Sequence, residues 1–93
     1  MGPEAEVERT VCREAAADGW RVYKLQFLNK RGAPDRMFGK AGRVVLIEFK
    51  APGQTPNEQQ KRRHAELRTD CGLEVHICRT VEHGREVLGL REA

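Results

Sequence analysis

Two periodicities alternate along the chain and divide it into seven elements. Residues 4–18 place Val7, Val11 and Ala15 at helical spacing, then run through three alanines to Asp18-Gly19. Apolar positions three or four apart share one helix face, and glycine suits the left-handed residue that ends a helix. From 20 to 28 the period drops to two: Val22, Lys24 and Gln26 alternate with Tyr23, Leu25 and Phe27, which predicts a strand. A polar turn over 29–34 leads to a short strand from Asp35 to Phe38. Gly39-Lys40-Ala41-Gly42 reads as a hairpin turn, and 43–50 as the third strand.

The loop 51–55 is marked by Pro52-Gly53. Asn57 can cap a helix over about 58–70, in which Gln60, His64 and Leu67 share a face and Cys71-Gly72 closes the end. Residues 73–78 form a fourth strand, with Val75 and Ile77 alternating against Glu74, His76 and Cys78. Thr80 caps a last helix carrying Val81, Val87 and Leu88. The order αβββαβα predicts a small mixed sheet with helices packed on it. With 93 residues the chain is expected to be one domain, 1–93, without repeats or low-complexity tracts.

The third strand ends in chemistry. Glu48 and Lys50 lie two apart, so they share a face on an element otherwise built of Val, Leu, Ile and Phe. Burying charges there is costly unless they are paired or bound to metal. Asp35 opens the neighbouring strand, and a hairpin sets facing side chains roughly 5 Å apart. Two carboxylates at that spacing, with room for water, suit Mg²⁺ or Mn²⁺. Such an ion supports hydrolysis of a phosphodiester by in-line attack. Lys50 is then placed to stabilise the pentavalent phosphate or to position the attacking water. The Phe49 carbonyl can add one more oxygen ligand. The competing reading is a turn aspartate beside a surface Glu–Lys pair. Glu8 sits at the edge of the first helix's apolar stripe, where spacing alone favours a solvated glutamate.

Composition narrows the setting. A net charge of +3 suits a polyanionic partner without demanding one. Three cysteines, Cys12, Cys71 and Cys78, have no CxxC spacing, which points to reduced thiols in a cytosolic protein. No apolar run approaches the ~20 residues of a membrane span, and the acidic start at Glu4 is the wrong sign for a secretory leader. Lys30, Arg31 and Arg36 flank the proposed site with Lys40 and Arg43, and Lys61, Arg62 and Arg63 form a second basic run. Phosphate contacts need positive charge in reach, and mid-strand Lys24 is the best single candidate. With 5% aromatic residues, Trp20, Tyr23 and Phe27 read as core or interface, not as base-stacking platforms. His64, His76 and His83 are scattered and do not suggest a zinc site.

Six segments in order carry a resemblance. They are Val7-Glu8 in a helix ending at Gly19; Tyr23-Lys24; Gly32-Ala33-Pro34-Asp35-Arg36; Val45 to Gly53 around Glu48-Phe49-Lys50; Gln60 to Leu67; and Gly72-Leu73-Glu74-Val75. Together they resemble the PD-(D/E)XK nuclease superfamily and, more narrowly, a stand-alone VRR-NUC domain of the phage and bacterial type, similar to Holliday-junction resolvases. The resemblance implies an α/β, restriction-endonuclease-like αβββαβ core. It implies Asp35 and Glu48 as metal ligands, Lys50 as the catalytic lysine, Glu8 as the helix-one carboxylate acting directly or through water, and Gln60 as a residue lining the site. It further implies structure-dependent cleavage of DNA, such as a Holliday junction or other branched form, by a homodimer. One departure is Thr55-Pro56-Asn57-Glu58-Gln59, where the family usually reads Leu-Ser-Pro-Leu. Two alternatives accompany this reading: a slow branched-DNA-binding module of the same fold, and an adaptor domain with no chemistry.

Overall fold

A computed structural model of the chain describes residues 2–91. The order is α1 (Pro3–Ala17), β1 (Arg21–Lys24), β2 (Arg36–Lys40), β3 (Arg43–Phe49), α2 (Glu58–Thr69), β4 (Glu74–Cys78) and α3 (Val81–Leu88), as the periodicities predicted. The strands make one mixed sheet in the order β1-β2-β3-β4. The β1–β2 and β2–β3 pairs are antiparallel, and α2 carries the crossover to β4, which runs parallel to β3.

Two boundaries differ from the sequence expectation. β1 ends at Lys24, not near Leu28. The Leu25 N–H still reaches the Asp35 carbonyl at 3.0 Å. In this register the next partner of the segment would be Pro34, which has no N–H to donate. Leu25 and Phe27 pack instead against Leu46, Leu67 and Val75. β2 extends to Lys40, so the hairpin turn shrinks to Ala41-Gly42. Both residues have positive φ, 50° and 83°, the backbone of a two-residue turn matched to strand twist.

β3 feeds two cores. Val45, Ile47 and Phe49 join Phe38, Val11 and Ala15 of α1 and Leu88 of α3. Leu46 points to the other face, with Leu67 of α2 and Val75. The helices α1 and α3 meet closely at Gly84, where a Cβ would stand 2.6 Å from Val11 Cγ2. Trp20 is buried, Phe27 half-buried and Tyr23 exposed. The three cysteines are free. Among the described residues no helix is long and apolar enough to cross a membrane.

Candidate active site

The pairing of Arg36 with Ile47 sets Asp35 beside Glu48. Asp35 is held from two sides. Its Oδ2 accepts from the Phe49 N–H at 2.8 Å, and the loop before it is pressed onto the start of α2. Gly32 has φ of 88°, and a Cβ there would lie 2.6 Å from the Gln59 carbonyl. Only glycine meets both demands. Arg63 fastens the same loop by donating from Nε to the Arg31 carbonyl at 3.0 Å.

α2 opens with a capping box. Asn57 Oδ1 accepts from the Gln60 N–H at 2.8 Å, and Gln60 Oε1 accepts from the Asn57 N–H at 2.9 Å. That exchange turns the amide so that Gln60 Nε2 donates to Glu48 Oε2 at 3.2 Å. The unusual Thr55–Gln59 entry therefore still delivers a capped helix, with Pro56 buried beneath it.

Glu48 is the centre of the arrangement and only 3% exposed. Lys50 Nζ lies 3.6 Å from its Oε2. His64 Nε2 stands 4.0 Å from Oε1, beyond hydrogen-bond reach, and Oε1 and both His64 ring nitrogens are buried without a partner. Burial, and then the charge of Asp35, pushes the Glu48 carboxyl up to about 7. Asp35 is also raised, by burial and by Glu8, against the pull of the Phe49 N–H. His64 is lowered by burial and by the nearby Arg68 and Lys50 charges, which favour the neutral ring. Two crowded carboxylates, one with an unpartnered buried oxygen, form a donor set suited to a hard divalent cation. The Phe49 backbone lies between them, its N–H committed to Asp35.

The other predicted residues divide into two groups. Glu8 reaches the site's rim, where its Oε2 accepts from Arg36 Nε at 2.7 Å. Among the described residues, no three His, Cys, Asp or Glu side chains converge tightly enough to hold an ion together. Lys24, Lys30, Arg31, Lys61 and Arg62 are exposed, with Lys61 also 3.5 Å from Glu58. Arg36 and Arg63, also named as DNA contacts, have partners within the chain. Arg36 is engaged by Glu8, while Arg63 is 16% exposed and tied to Arg31 and Glu66. Lys40 and Arg43 are likewise paired, with Asp18 and Glu74. The sequence reading weighed His64 only as a zinc ligand and did not place it beside Glu48. Its place on the Gln60–Leu67 face was legible, but the strand that this face meets was not.

Comparisons with known proteins agree with this architecture. No protein-family model matches the chain. It is 35% identical over 65 residues to "Putative nuclease p44" of Acyrthosiphon pisum secondary endosymbiont phage 1, covering 69% of this chain and 70% of the phage protein. A solved structure described as a VRR_NUC domain superposes with a TM-score of 0.85 over 96% of this chain and 97% of its own, at 23% identity. The fold is thus that of a VRR-NUC domain. The chain belongs to the family of the phage protein.

Proposed function

We propose that the protein is a metal-dependent endonuclease that hydrolyses DNA phosphodiester bonds, selects branched DNA such as a Holliday junction, and works as a homodimer. The observation that carries this reading is the meeting of Asp35, Glu48 and Lys50 where the start of β2 faces the end of β3, with Glu48 3% exposed and Lys50 3.6 Å from it. An adaptor domain has no use for so costly an arrangement. In this reading Asp35, Glu48 and the Phe49 carbonyl hold Mg²⁺ or Mn²⁺, with Glu8 acting through water. The bound ion would supply a more acidic water and screen charge on the phosphate.

The chain's own groups do the rest. Gln60 steadies Glu48 through the 3.2 Å contact, and Phe49 steadies Asp35. Lys50, one-fifth exposed, offers its ammonium to charge that builds on the scissile phosphate. Lys24, Lys30, Arg31, Lys61 and Arg62 take the flanking phosphates, a sequence-independent attraction. A dimer would bring two such sites to the strands of a branch, with the self-complementary interface of a twofold pair.

The test is to incubate the purified protein with labelled Holliday junction, flap, duplex and single strand in Mg²⁺, Mn²⁺ or EDTA, beside Lys50→Ala. The expected result is metal-dependent cutting that is greatest on a branched substrate. Loss of one oriented charge of this kind costs about 10²–10³ in rate, so Lys50→Ala should fall near background. Tight junction binding without cutting in any metal would instead establish the slow binding module.

A further inference from the structure

His64 is the one polar side chain at the centre of the site that the reading above leaves without a task. It lies on the buried face of α2 beside Leu67, 1% exposed, where an apolar residue would pack at no electrostatic cost. A buried polar group left without a partner is destabilising. Here the two unpartnered groups face each other: His64 Nε2 and Glu48 Oε1, 4.0 Å apart. The other charges around the ring are committed or point elsewhere. Arg68 donates twice to the Val75 carbonyl, at 3.0 and 2.9 Å, and Lys50 lies against Glu48 Oε2. Gln60 also holds Oε2. Among the described residues, with Lys50 and Gln60 both on Oε2, His64 Nε2 is the donor facing Oε1.

We propose that His64 is a positioning residue for Glu48. Its Nε2–H closes on Oε1, and together with Gln60 on Oε2 it locks the carboxylate in the rotation that receives the divalent cation. The inference rests on the metal-dependent reading and deepens it. Partners that orient a ligating carboxylate typically alter metal affinity about 10–100-fold when removed.

The experiment uses the full chain without DNA. Nitrogen-15 NMR of the wild-type histidine ring reports which nitrogen carries the proton, and Mn²⁺ affinity is measured by electron paramagnetic resonance for wild type, His64→Met and His64→Gln. Met matches the bulk without a donor, whereas the Gln amide reaches about as far as Nε2 and can donate. The expected result is an Nε2–H tautomer, Mn²⁺ binding weakened about 10–100-fold in His64→Met, and most of it recovered in His64→Gln. A proton on Nδ1 would overturn the proposal, a result that needs no variant to fold. So would His64→Met binding as tightly as wild type, or His64→Gln binding as weakly as His64→Met. These results would leave the nuclease reading intact if the wild type cuts DNA with metal. A wild type that neither binds Mn²⁺ nor cuts would sink both.

Discussion

The two faces of β3 show what a single strand can be asked to do. On the α1–α3 side, Val45, Ile47 and Phe49 are buried among Phe38, Val11, Ala15 and Leu88, without a charged group in the cluster. On the α2 side the same alternation reads Leu46, Glu48, Lys50, and the apolar cluster is confined to Leu46, Leu67, Val75 and partly buried neighbours. The first face holds the fold by removing apolar surface from water. The second gives up part of that gain to keep a carboxylate and an imidazole 4.0 Å apart in a buried position. A 93-residue chain has a modest reserve of stability to trade in this way. Site and core are separated by one step of the strand period, so a substitution's effect should change character with the parity of its position.

The largest effect expected from breaking the comparison is on the apolar face. Phe38 is fully buried there, and Phe38→Ala should cost about 3–5 kcal/mol, a large part of the ~5–15 kcal/mol holding a typical domain. Thermal melting should fall by more than about 12 °C, with cleavage lost only as the fold is lost. A Phe38→Ala protein that melts like wild type would contradict the assignment of this face as the main core.

A smaller effect should come from Gly32, which serves the α2 face. Gly32→Ala must accept φ of 88° and a Cβ 2.6 Å from the Gln59 carbonyl. Gly53→Ala is the control, because its φ is 81° but nothing lies within 4 Å of the added carbon. Left-handed backbone costs a non-glycine residue about 1–2 kcal/mol. Gly53→Ala should show that cost alone, whereas Gly32→Ala should add the clash and displace Asp35 from Glu48. Melting and Mn²⁺-dependent cleavage, measured together, should separate the two. Equal loss of cleavage in both variants would argue against the clamp between loop and α2.

The smallest effect is a pH dependence. In EDTA, Glu48 favours its protonated form in the folded state because burial and Asp35 lift it from 4.5 to about 7. The stability this lends is present below 4.5 and lost as the pH rises through 7. His64 acts in the opposite sense, since its lowered value means that acid disfavours the fold. Glu48→Gln keeps His64, so the difference between the two proteins isolates the carboxylate. At pH 8 without metal, Glu48→Gln should melt about 4 °C or more above wild type, a shift of about 1 kcal/mol, and the gap should narrow toward pH 5. A gap that stays constant across this range would rule out the raised carboxyl.

Much of this was open to reading in the chain. The order of elements, the capping by Asn57 and Thr80 and the facing of Asp35 and Glu48 all follow from local rules: period, cap chemistry and hairpin pairing. The same local rules overran β1, because the alternation of Leu25 and Phe27 continues past the point where Pro34 halts the ladder. They were also mute on how the cations are spent. Arg36 and Arg63 look as free in the sequence as Lys61 and Arg62, yet their partners Glu8 and Arg31 lie 28 and 32 residues away.

What the sequence determined by itself is therefore whatever depends on neighbours a few residues apart: the helices and strands, their caps, and the residue types able to bind metal and phosphate. Beyond the hairpin pair of Asp35 and Glu48, tertiary structure alone decided which of those residues meet. It brought His64 to Glu48, turned Gln60 onto the same carboxylate and closed Arg36 onto Glu8. The physical reason is that a buried charge takes its chemistry from groups within a few ångströms in space, and in this chain those groups come from α1, β2, β3 and α2, which only folding places side by side.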